Sequence, residues 1–182
     1  MERKRSFRWL VWVIGILLLL VIIFFAAVYS GLYNVAATYP DPAPMHWLFD
    51  TTMEHSVKRH ARGIATPELT EGAKIRQGFG LYRRRCAGCH GAPGQPIGEI
   101  ARAMNPAAPE LADEAEEWQP NELFWITKNG IRMTGMPAWK DILSDDDIWA
   151  IVAFMQKLPE MSPDEYQRLE AENPPPVRRG GG

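Results

Sequence analysis

Residues 86–90 read Cys86-Ala87-Gly88-Cys89-His90, and the two cysteines among them are the only ones in the 182-residue chain. A lone cysteine pair in an exported protein ordinarily reads as a disulfide. Two intervening residues make a short loop, however, and such dithiols are usually redox or metal motifs. The histidine that follows decides the matter. Two thiols at this spacing add across the two vinyl groups of one porphyrin, and the adjacent imidazole then lies under the iron as its proximal ligand. Half of a zinc site would use the same residues, but zinc needs four ligands. No second Cys or His pair follows, since His46, His55 and His60 all precede the motif. The motif is therefore read as the attachment site of one covalent haem c, with His90 on its iron.

The other axial ligand sets the chemistry: an open position favours gas or peroxide chemistry, whereas a thioether raises the potential and favours electron transfer. Of eight methionines, Met1, Met45 and Met53 lie before the motif and Met104 soon after it, while Met155 and Met161 belong to the last apolar helix and its exit. Met133 and Met136 remain, in Ile131-Arg132-Met133-Thr134-Gly135-Met136-Pro137-Ala138-Trp139. Met136 is preferred, with Met133 second. Pro137 pushes the residue before it towards an extended conformation, and Gly135 lets the backbone approach the porphyrin closely.

Around these motifs the pattern is helical. Thr70 or Pro67 opens a helix running to about Arg85, and Pro120 to Asn129 forms a short helix closed by Gly130. Ser144 with Asp147 makes a capping-box-like start to the run Ile148, Trp149, Ile151, Val152, Phe154, Met155, Leu158, which Pro159 ends. No stretch alternates as a strand does, so the fold class is all-α. From Ser162 the chain turns polar, then reaches Pro174-Pro175-Pro176 and a Gly-rich end, and is read as a flexible tail over 162–182.

Towards the N-terminus, Leu10 to Tyr29 carries no charge. Twenty residues make roughly 30 Å of helix, the thickness of a bilayer's hydrocarbon core. A cleaved leader would be shorter and end in a small-residue cleavage site, so the segment is read as a retained anchor. Arg3, Lys4, Arg5 and Arg8 place its N-terminus in the cytoplasm. The exported remainder holds 16 Lys+Arg against 21 Asp+Glu, which argues against nucleic-acid binding. Pro40, Pro42 and Pro44 stiffen a spacer. The stretch from Met45 to Ile64 is read as an interfacial or docking helix, or a plain connector.

From about residue 70 to 160 the chain resembles a class I cytochrome c. Gly78 and Tyr82 match the small-plus-aromatic pair that packs on the C-terminal helix, and Phe154 with Ile151 matches its partner there. Pro109-Glu110-Leu111 resembles the segment whose proline carbonyl accepts a bond from the proximal imidazole, with Pro93 and Pro96 as alternatives, because 18 residues separate His90 from Pro109. The 135–139 segment resembles the distal loop. The resemblance implies a small helical fold around one haem, held by Cys86, Cys89, His90, Met136 and Pro109, with His90 and Met136 on the metal. The chain is read as an anchor at 1–33, a spacer at 34–65 and a cytochrome c domain at 66–161. The expected function is single-electron transfer between respiratory-chain or dehydrogenase partners, as a tethered shuttle or a complex subunit rather than an enzyme. A catalytic haem subunit of a small-molecule reductase or peroxidase is the alternative. The expected partners are a quinol-oxidising complex, a dehydrogenase or a terminal oxidase, and the lipid bilayer. The expected location is the inner membrane with the haem domain periplasmic. Arg83, Arg84, Arg85, Lys128, Arg132 and Lys140 are read as a basic rim around the haem edge.

Overall fold

The computed structural model describes residues 2–174, with no strand among them. They fall into two units, divided between Tyr39 and Pro40. The first holds α1 (Glu2–Tyr29), in which Phe7–Tyr29 is long and apolar enough to cross a membrane. The side chains of Arg3, Lys4 and Arg5 lie outside the described residues.

The second unit begins with α2 (Ala43–Ala61) and α3 (Gly72–Arg85), followed by three single turns: α4 (Ala87–His90), α5 (Glu99–Arg102) and α6 (Leu111–Glu114). Then come α7 (Pro120–Asn129), α8 (Asp145–Met155) and α9 (Pro163–Glu172). The crossing of α3 and α8 forms its centre. Gly78 makes it possible: a Cβ there would come within 1.8 Å of the Ala150 carbonyl oxygen and 2.9 Å of Phe154 Cβ. Around this close approach Phe79 and Tyr82 set their rings 5.5 and 5.3 Å from that of Phe154, in tilted and edge-on geometries that aromatic pairs favour. Phe124 of α7 stacks on Trp149 of α8 at 4.2 Å. The pairing expected of Gly78, Tyr82 and Phe154 is thus the one the fold uses.

Local signals set the helix ends. Ser144 Oγ accepts the Asp147 N–H at 3.1 Å, and Asp147 Oδ2 accepts from the Ser144 N–H, a reciprocal box at the start of α8. Gly130 ends α7 at φ 66°. α3 begins at Gly72, slightly later than Pro67 or Thr70.

The tail reading needs correction. Residues 163–172 are not a flexible extension but the helix α9, opened by a second box between Ser162 and Glu165. Tyr166 is fully buried, its ring 5.5 Å from Phe79. Arg83 of α3 donates to the Asn173 carbonyl at 2.5 Å, where a helix C-terminus presents unsatisfied oxygens and attracts a cation. Of the expected tail, 175–182 lie outside the described residues.

Candidate haem site

Cys86 closes α3, its N–H donating to the Tyr82 carbonyl, and the chain then makes one further turn, with His90 N–H donating to the Cys86 carbonyl at 2.9 Å. Residues three apart in such a turn share a face, so the two thiols lie on one side. Both are free of disulfide bonding. Cys86 is buried, and that burial first, with the Cys89 charge second, pushes its thiol up to about 12. A dithiol-exchange centre depends on an acidified thiol, and this one is shifted the opposite way.

His90 follows directly. Tyr82, which packs on Phe154, donates its phenol hydrogen to the Gly91 carbonyl at 2.8 Å, so the core helix grips the backbone beside the histidine. The His90 Nδ1 lies 2.9 Å from the Pro109 carbonyl oxygen. A carbonyl only accepts, so Nδ1 carries the hydrogen and Nε2 presents a lone pair. Burial lowers the pKa of His90 and so favours the neutral ring that metal ligation requires, while the bond to Pro109 opposes that shift. Pro109, rather than Pro93 or Pro96, is the residue that meets the ring.

The loop after α7 is fixed by the Thr134 hydroxyl together with backbone bonds. Thr134 Oγ1 donates to the Ile131 carbonyl and accepts the Met136 N–H, and Ile131 N–H donates back to the Met136 carbonyl. Met136 is half-buried, whereas Met133 sits at φ 62° and is 75% exposed. Sequence reasoning passed over Met104, yet it lies against this loop: a Cβ on Gly135 would come within 2.2 Å of Met104 Sδ. Only an alignment of distant segments would have revealed that neighbour.

Two thiols on one face, a neutral imidazole held by its outer nitrogen, and a thioether loop make a donor set that fits haem c. No cluster of three or more His, Cys, Asp or Glu suited to another metal occurs among the described residues. Residues 73–155 match the family described as cytochrome c oxidase, cbb3-type, subunit III. These residues form a c-type cytochrome domain. The match covers somewhat less than half of the chain, and no curated protein matches it. A cytochrome c domain implies haem c and haem-based electron transfer.

The charges around the cytochrome motifs are partly committed. Arg83 binds the end of α9 and lies over Phe79, Lys128 pairs with Asp145 at 2.7 Å, and Arg85 covers the Trp139 ring at 5.7 Å. The expected basic rim thus reduces at its exposed positions to Arg84, Arg132 and Lys140, with Arg85 partly engaged by an aromatic face.

Proposed function

We propose that this protein is a tethered monohaem cytochrome c that passes single electrons between membrane redox partners. The observation that carries the reading is the 2.9 Å contact of His90 Nδ1 with the Pro109 carbonyl, beside two thiols on one turn. Cys86 and Cys89 would hold one haem through thioether bonds, and His90 Nε2 would ligate its iron. When bound, the haem iron supplies reversible one-electron chemistry. The hydrogen bond that His90 Nδ1 donates to the Pro109 carbonyl orients the ring and increases its donor strength, as outer partners of ligating histidines do. Met136 is assigned the distal position, supported by its half-buried place in a hydrogen-bonded loop, and a thioether there raises the potential.

Phe7–Tyr29 would anchor the chain once in the inner membrane, N-terminus inside, with the domain at 66–161 in the periplasm. Donors of the expected class are a quinol-oxidising complex or a dehydrogenase. The name of the matched family supports a terminal oxidase as acceptor or host complex. The thioether assignment favours transfer over catalysis at the iron.

Haem should stay with the polypeptide after denaturation and acid-acetone extraction, and leave it when both cysteines are changed to Ser. Met136→Ala should abolish the sulfur-to-iron charge-transfer absorbance of the oxidised protein and lower its potential. Met133→Ala and Met104→Leu should do neither. Loss of the band in either of those variants instead would move the distal ligand to that residue.

A further inference from the structure

Helix α2 leads two lives. Its C-terminal half is part of the cytochrome unit: Val57 and Ala61 are buried, Asn121 of α7 donates to the Ala61 carbonyl at 2.9 Å, and the His60 ring stacks on Trp125. Its N-terminal half carries Trp47, Leu48 and Phe49 at 67, 47 and 42% exposure. Successive residues in a helix turn by about 100°, so these three, with Met45, make the tip apolar around most of its circumference. A helix of that kind is a buried one, and within its own unit this tip is left uncovered.

We propose that the tip of α2 inserts into the headgroup and upper acyl layer of the bilayer that holds α1. This rests on the anchor reading above. The connecting chain supplies the argument for lipid. Only the 13 residues 30–42 separate the end of α1 from the start of α2, which limits the reach to about 45 Å even when fully extended. From residue 30 to 49 the sole formal charge is Asp41, and Leu32 and Val35 are 86 and 88% exposed. A spacer meant to carry a domain through water would not place such residues there, whereas an interfacial segment would. Tryptophan suits that depth, with an apolar body and a polar N–H. Insertion would hold the cytochrome domain at the membrane surface through α2 and keep it from swinging on its spacer.

The test uses the full-length holoprotein, one copy per phosphatidylcholine nanodisc, with a nitroxide on Leu48→Cys. Reference labels sit on Leu18→Cys in α1 and on the exposed Gln167→Cys in α9. The label at 48 should behave like that at 18, severalfold more accessible to oxygen than to a water-soluble nickel complex, with the reverse at 167. Adding Phe49→Asp should return the label at 48 to water. A water-accessible label at 48 beside a lipid-exposed one at 18 overturns the insertion and leaves the anchor standing. A water-accessible label at 18 overturns the anchor itself. A label at 48 shielded from both reagents means that protein covers the tip, and the lipid assignment is wrong.

Discussion

The α3–α8 crossing and the loop from Gly130 to Trp139 each depend on a glycine, for unlike reasons. At Gly78 the need is space, because the Ala150 carbonyl occupies the position a side chain would take. At Gly130 the first need is conformation, since φ 66° with ψ −177° lies in a region that only glycine adopts without strain, and space is a second, with the Met136 carbonyl oxygen 2.7 Å from an added Cβ. The crossing is close-packed and has nowhere to yield, since interiors are packed like organic crystals. The loop is held by a few hydrogen bonds and an exposed tip, and it can shift. The proximal side of the site inherits the stiffness of the crossing through Tyr82 and its bond to the Gly91 carbonyl. The distal side hangs on the softer element. Changes in the core should therefore cost the whole fold, and changes in the loop should cost the distal ligand first.

The largest effect is expected for Gly78→Ala. One methyl group at 1.8 Å from a backbone oxygen forces the helices apart, placing the loss at or above the top of the ~1–3 kcal/mol typical of overpacking. Folded domains have only about 5–15 kcal/mol to lose, so the urea midpoint should fall sharply and haem-loaded protein should become scarce. A near-normal midpoint would mean that the crossing yields as the loop does. A smaller and differently placed effect is expected for Gly130→Ala, about 1–3 kcal/mol of backbone strain. An added Cβ also meets the Met136 carbonyl oxygen at 2.7 Å. The sulfur-to-iron absorbance should be lost at urea concentrations where far-ultraviolet dichroism is still native. Coincident loss of both signals would show that the loop is as rigid as the core.

The same division explains what was legible in the sequence. α7 and the start of α8 were readable because Pro120, Gly130, Ser144 and Asp147 act within a turn of themselves. The Gly78, Tyr82 and Phe154 set was readable through a resemblance that encodes a tertiary contact. α9 was missed because polar composition outweighed one buried tyrosine, although Ser162-Pro163-Asp164-Glu165 carries the same signature as Ser144 to Asp147. Arg83 looked like one of three surface charges, and nothing local distinguishes it from Arg84. Its role comes from α9 lying across it. Met104 likewise reaches the distal loop only through the folding of the chain between them.

The smallest effect tests a joint of the crossing that lies at the surface. Asp147 receives a hydrogen bond from the Ser144 hydroxyl at 2.8 Å and another from Gln77 of α3 at 2.8 Å, so it both caps α8 and ties that helix to α3. The bond from Ser144 is the main cause that holds its carboxyl below the usual range; burial opposes it, and Gln77, the Ser144 N–H and the Arg84 charge add to the lowering. A carboxylate whose pKa is lower in the folded state stabilises the fold above its unfolded pKa, near 3.8. That contribution is lost as pH falls through the lower folded value. Asp147→Asn keeps an acceptor but removes the charge that favours a helix N-terminus, so the cost at pH 7 should be modest, up to about 1 kcal/mol. The difference in urea midpoint between wild type and variant should be full at pH 7 and shrink below pH 4. Haem ligation also responds to acid, but it is common to both proteins and drops out of the difference. A gap that stays constant from pH 7 to pH 3 would assign the effect to packing at the α3–α8 joint rather than to the charge. The crossing would then be insensitive to charge even at its rim.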